Sequence, residues 1–89
     1  MKAMVTVVAT DRIGIIADVC TMLAEMRINI LDISQTVMEN YLAMTMLVDT
    51  SASPLPFGEI SETVKKKGEE FGLVIHIQHE DIFNAMHKI

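Results

Sequence analysis

The feature that most narrows what this chain can become is the way its apolar period changes along the sequence. Lys2 to Ala9 is short and rich in Val, Ala and Thr, with Ala3, Val5 and Val7 on one face and Met4 and Val8 on the other. A strand apolar on both parities belongs in the middle of a sheet. From Gly14 the spacing switches to Ile16, Val19, Cys20, Leu23 and Met26, while Asp18, Thr21 and Glu25 turn away. That spacing predicts a helix of about 13 residues by its 3.6 period. After Arg27 period two returns. Leu31, Ile33 and Val37 share one face and Asp32, Ser34 and Thr36 the other, as in a half-exposed strand. Glu39-Asn40 reads as a tight reversal, since Asn tolerates positive φ, and Tyr41 to Asp49 comes back with Leu42, Met44, Met46 and Val48 aligned.

Thr50 to Pro56 is polar and punctuated by proline, hence a loop, with Pro56 suited to the first position of a helix. Phe57, Ile60, Val64, Gly68 and Phe71 then recur at helical spacing, and Gly72 ends the run as a C′ glycine does. Gly68 falls on the packing side, where a missing side chain lets two helices approach. Leu73, Ile75 and Ile77 form a fourth strand against Val74, His76 and Gln78. Ile82, Phe83, Met86 and Ile89 make a last apolar stripe, predicting a short C-terminal helix with Asp81 near its start.

The order β-α-β-β-α-β belongs to the α+β class. Connection rules fold it into a ferredoxin-like βαββαβ sandwich: an antiparallel four-stranded sheet of order 4-1-3-2, right-handed crossovers and two helices on one face. The other face then carries Asp32, Ser34 and Thr36 from one edge and His76 and Gln78 from the other, around more apolar central strands. At 89 residues the chain is expected to be one domain over 1–89, with 78–89 as a C-terminal extension helix. A domain this small buries little more than about 60% of its unfolded surface. With 51% hydrophobic residues it also has more apolar surface than one small core hides, so a homodimer is expected.

Several function classes are excluded on chemical grounds. A net charge of −5 argues against nucleic acid, and the one basic run, Lys65-Lys66-Lys67, reads as a solvated helix face. Cys20 is the only cysteine, so no internal disulfide forms; with neither a signal peptide nor a membrane-spanning run, the chain is expected to be cytoplasmic, off the membrane. A metal chaperone of this topology needs two cysteines in the first loop, which has none. His76 and His79 point to opposite faces and His87 stands on the terminal stripe, so no metal is expected. An RNA-binding sheet needs open-face aromatics, but of Tyr41, Phe57, Phe71 and Phe83 three belong to helical stripes. No nucleophile and base are spaced for catalysis, and no cofactor motif is present.

What remains is the turn Thr10-Asp11-Arg12-Ile13-Gly14-Ile15. Asp11 is placed to cap the following helix, and Gly14 then sits in its first turn, where glycine costs about 1 kcal/mol against alanine. Either a packed neighbour or a ligand must come close there, and the free N–H groups of a helix start can hold a carboxylate or phosphate. Val5-Thr6-Val7-Val8-Ala9-Thr10-Asp11-Arg12-Ile13-Gly14-Ile15, followed after the helix by Asn29-Ile30-Leu31-Asp32-Ile33, resembles the ACT domain family, small modules that bind amino acids or related metabolites and regulate enzymes or transcription. Ser34-Gln35-Thr36-Val37 and Ile82-Phe83-Asn84-Ala85-Met86 extend the likeness to stand-alone ACT proteins of uncharacterised function. These are similar in turn to the ACT repeats of a glycine-cleavage repressor and the ACT segment of formyltetrahydrofolate deformylase. Ile13 departs from the proline common at that position.

The resemblance implies a non-catalytic regulatory module, a homodimer whose pocket lies near the first loop and is often completed by a neighbour's second strand. It carries ligand binding to Asp11, Arg12, Gly14 and Ile15 of the turn and to Asn29 and Asp32 after the helix, with an amino acid as ligand and a regulated enzyme or regulator as partner. The helix-start N–H groups would take the α-carboxylate, and Asn29 or Asp32 the ammonium. Two alternatives stay open: an interaction module without a metabolite, and a small acylphosphatase-like hydrolase built on Arg12.

Overall fold

The computed structural model of the protein describes residues 1–10 and 14–80. In order, the elements are β1 (Lys2–Thr10), α1 (Ile15–Glu25), β2 (Asn29–Met38), β3 (Tyr41–Asp49), α2 (Phe57–Phe71) and β4 (Val74–His79). The sheet is antiparallel with order β2-β3-β1-β4, which is the expected 4-1-3-2 read from the other edge. β4 continues to His79, so the expected extension helix does not begin at 78; its stripe, Ile82, Phe83, Met86 and Ile89, lies outside the described residues.

One apolar layer holds these elements together. Ala3, Val5 and Val7 from β1, Met44, Met46 and Val48 from β3, and Ile75 and Ile77 from β4 are all buried on the face that the helices cover. Into that layer α2 sends Ile60 and Val64, with Phe57 and Phe71 half-buried at its two ends. The stripe that α1 buries is Ile15, Val19, Met22 and Leu23, whereas Ile16 is 39% exposed and Cys20 half-buried. The helix is therefore rotated from the expected stripe, because it starts at Ile15 and turns that residue into the core.

Local chemistry sets the ends of the elements. Pro56 is the N-cap of α2 with extended backbone (φ −63°, ψ 152°), one place earlier than expected, and its carbonyl accepts from Glu59 and Ile60. Gly72 closes α2 in the left-handed region (φ 74°), its N–H bonded to Glu69 O at 3.2 Å while Leu73 N–H reaches Gly68 O at 2.9 Å. In the β2–β3 reversal the positive φ falls on Glu39 (53°) and not on Asn40. β2 also carries a bulge between Ile30 and Asp32, which takes Leu31 out of the pairing, so Ile33 and Val37 lie on the helix side without it. All of β2 is exposed except the half-buried Ile30, and not merely one face.

Gly68 packs against the sheet and not against the other helix. A Cβ built there would overlap Ile75 Cγ2 and stand 3.3 Å from Leu73 O. At the other end of the sheet, Asp49 Oδ1 accepts from Ser51 Oγ (2.6 Å), Ser51 N–H (2.9 Å) and the N-terminal ammonium (3.4 Å). The Ser51 bonds, assisted by the ammonium, hold its carboxyl down to about 2.

Two outcomes follow from these contacts. Gly68→Ala should destabilise the domain by about 1–2 kcal/mol in urea unfolding, since overpacking against β-branched Ile75 outweighs the helix propensity gained. A depressed folded-state pKa contributes stability above the ordinary carboxylate value, and that stability is lost as pH falls through about 2. Unfolding measured between about pH 4 and 2 should show this loss in the parent and not in Asp49→Asn.

Candidate functional site

Gly14 occupies the N-cap of α1 with φ 91°, a conformation that residues with a Cβ seldom adopt. It thus precedes the helix and does not sit within the first turn. No side chain of the described residues bonds to this helix start. The first bond of the helix runs from Asp18 N–H to Gly14 O at 2.8 Å, so the N–H groups of Ile15, Ile16 and Ala17 have no partner inside the helix. The residues of this helix start line a cavity of about 570 Å³. Gly14, Ile15, Ile16 and Ala17 form one wall, and Gln35, Val37 and Leu42 form the other.

The sheet brings that second wall into place. Val37 pairs with Leu42 and Gln35 with Met44, so Gln35 and Val37 lie on the helix side of β2, alongside buried Leu42. Because β2 is left bare, Val37 remains 54% exposed and the cavity is open along this edge. The arrangement joins a positive helix end, an amide that can both donate and accept, and an apolar margin of Ile16 and Val37. Such a set can hold a small carboxylate with a polar α-substituent. Among the described residues no group of three or more His, Cys, Asp and Glu can hold a metal ion.

Of the residues expected to bind, Gly14 and Ile15 line this cavity, and Asp11 and Arg12 lie outside the described residues. Asn29 and Asp32 are elsewhere in the same chain. Asn29 pairs with Asp49 at the far end of β2, about 20 Å of strand from Gln35. Asp32 lies level with Leu47 on the face away from the helices, with its Oδ1 accepting from Ile33 N–H at 2.9 Å. Gln35 was not among the expected ligands, although it carries a signal. In the alternating series Ile33, Gln35, Val37 it is the polar member on an apolar face.

The chain and its fold are similar to those of known proteins. The ACT domain family model matches residues 2–78. The chain is 49% identical over 89 residues to a UPF0237 protein of Clostridium acetobutylicum, covering 100% of both. Its structure is similar to that of an ACT domain protein from Streptococcus pneumoniae, with a TM-score of 0.82, 38% identity and 93% of each chain covered. A formyltetrahydrofolate deformylase from Pseudomonas syringae shares the fold at a TM-score of 0.77 and 22% identity, over 88% of this chain and 27% of that one.

The backbone at Gly14 can be tested without any ligand. A Cβ added there meets nothing within 4 Å among the described residues, so the expected cost of Gly14→Ala is that of the positive φ. Urea unfolding should show a loss of about 1 kcal/mol. A loss several times larger would mean that the added methyl group meets a packed neighbour.

Proposed function

The chain belongs to the ACT domain family, and on that premise we propose that it is a non-catalytic cytoplasmic module that binds an amino acid, or a closely related α-substituted carboxylate, and regulates a partner enzyme or regulator in response. The observation that carries this reading is the start of α1, to which no side chain of the described residues bonds and beside which a cavity lies. A glycine N-cap leaves three backbone N–H groups without a helix partner beside that cavity, and a glycine held at φ 91° keeps the approach clear. The carboxylate is received by the N–H groups of Ile15, Ile16 and Ala17, where hydrogen bonding and the helix dipole act together. Gln35 faces them and supplies an oxygen for the ligand ammonium.

The module works as a homodimer in this reading. Support comes from β2, where Ile33 and Val37 are exposed beside the mouth of the cavity and the edge strand has unpaired backbone groups. A neighbour's second strand would close the mouth there and bring its own Asn29 and Asp32 toward it. Binding at such a seam couples ligand occupancy to the pairing of two chains, which is the physical basis for regulation.

A thermal-shift screen of the twenty amino acids tests the reading. A ligand bound only by the folded chain raises stability by about 2.7 kcal/mol at 100 times its dissociation constant. With whichever amino acid stabilises the parent, calorimetric titration should show binding lost in Gly14→Val, which stays folded at a cost of about 1–3 kcal/mol. Gln35→Leu should bind at least about tenfold more weakly. Tight binding by folded Gly14→Val would move the pocket elsewhere, and acyl phosphate turnover that disappears in Arg12→Ala would replace the module with a hydrolase.

A further inference from the structure

β4 is shorter than the strand it pairs with. β1 runs to Thr10, but its pairing with β4 ends at Val8, opposite Val74. Among the described residues the edge of β1 at Ala9 and Thr10 therefore has no strand partner on that side, while on the other side Thr10 is paired with Tyr41. The C-terminus of α2 and the step from Gly72 to Val74 bound the resulting notch, a cavity of about 350 Å³. It is separate from the cavity at the start of α1. Leu42 lines that one and Tyr41 this one, and adjacent residues of a strand point to opposite faces.

The notch has one sign of charge. Helices favour Lys, Arg or His in the last turn, where the dipole is negative. α2 carries Glu69 and Glu70 there and no basic residue. Glu70 is paired with Lys67, Nζ to Oε2 at 3.6 Å. Glu69, which lines the notch, has no ion-pair partner among the described residues. The described lining includes no Lys, Arg or His, and the chain as a whole has a net charge of −5. With the carboxylate, the walls offer the hydroxyls of Thr10 and Tyr41 and the exposed side chains of Val8 and Val74.

We infer that the notch binds a small organic cation, a primary alkylammonium whose N–H groups meet Glu69 and the unpaired edge of β1 and whose hydrocarbon body lies along Val8, Val74 and Tyr41. An ammonium has three donors and no acceptor, which suits a site made of a carboxylate, an unpaired strand edge and a helix C-terminus. A metal ion does not suit it. One carboxylate supplies too few oxygens for a hard cation, and the side chains of Val8, Leu73 and Val74 add none. A volume of about 350 Å³ lies at the small end of ligand pockets, which points to a short amine. The bound charge also relieves the repulsion between Glu69 and the end of its own helix. None of this depends on an amino acid being bound at α1.

Amide chemical shifts of an isotope-labelled chain titrated with butylammonium test the site. The amides of Thr10, Gly72, Leu73 and Val74 should move and saturate, while those of Ile15, Ile16 and Ala17 should not. Butanol and butyrate keep the hydrocarbon body without the positive charge and should leave all of them in place. Glu69→Gln should weaken binding at least about tenfold without lowering the thermal midpoint of the free chain, since it removes a carboxylate from a negative helix end. Glu70→Gln, at a carboxylate held by Lys67, should bind within about threefold of the parent. Added salt should weaken binding by the parent, because the site is open to solvent. The absence of saturable shifts, equal shifts with butanol, or undiminished binding by Glu69→Gln overturns the proposal. So does an equal loss in Glu70→Gln, which marks attraction to the whole chain and not to the notch. A capped lysine amide that binds more tightly than butylammonium also overturns it, replacing the small amine with a polypeptide side chain.

Discussion

The rest of this structure depends on one apolar layer, filled from one parity of the strands and one stripe of each helix. β1 is its centre. Ala3, Val5 and Val7 are fully buried with β3 on one side and β4 on the other, so a change there is felt by both halves of the sheet. The layer is only one side chain thick. That explains why Gly68 matters: α2 lies so close to β4 that a single Cβ has nowhere to go, and close-packed interiors have no slack to absorb it. Among the described residues the two helices bury one face of β1, β3 and β4 and leave β2 exposed.

That shortfall generates the candidate site. Where α1 begins, Gly14 to Ala17 stand across from Gln35 and Val37 of the exposed strand β2, and the gap between them is the cavity. A longer side chain at Gly14 or a third helix over β2 would remove it. Both are sacrifices of stability, one in backbone conformation and one in unburied apolar surface, and a site is where such sacrifices are retained. Among the described residues no helix is long and apolar enough to cross a membrane.

Much of this was written in the sequence. Strand order, the central position of β1 and the closure of α2 at Gly72 follow from residue period, connection rules and the conformational freedom of glycine, all of which act locally or between neighbours in the chain. The stripe of α1 was misread by one position because Ile15 and Ile16 are both apolar. Spacing alone does not decide which of two adjacent isoleucines turns inward. The turn of the β2–β3 hairpin was placed correctly, but its positive φ went to Glu39, because the twist of the paired strands, and not the intrinsic tolerance of Asn40, sets the backbone there.

For the site, sequence located the helix start near Gly14 but set that residue in the first turn, where the structure makes it the N-cap. It did not place Asn29, Asp32 or Gln35 relative to them. Asn29 and Asp32 follow the first helix closely in the chain, yet β2 runs antiparallel to β3, which puts the start of β2 at the far end of the sheet and Gln35 beside the helix start. The bulge after Ile30 then decides which residues of β2 share the helix side. Proximity across a sheet is set by register, and register depends on the burial of a whole strand face at once. That is a property of the assembled layer, and no residue or motif carries it alone.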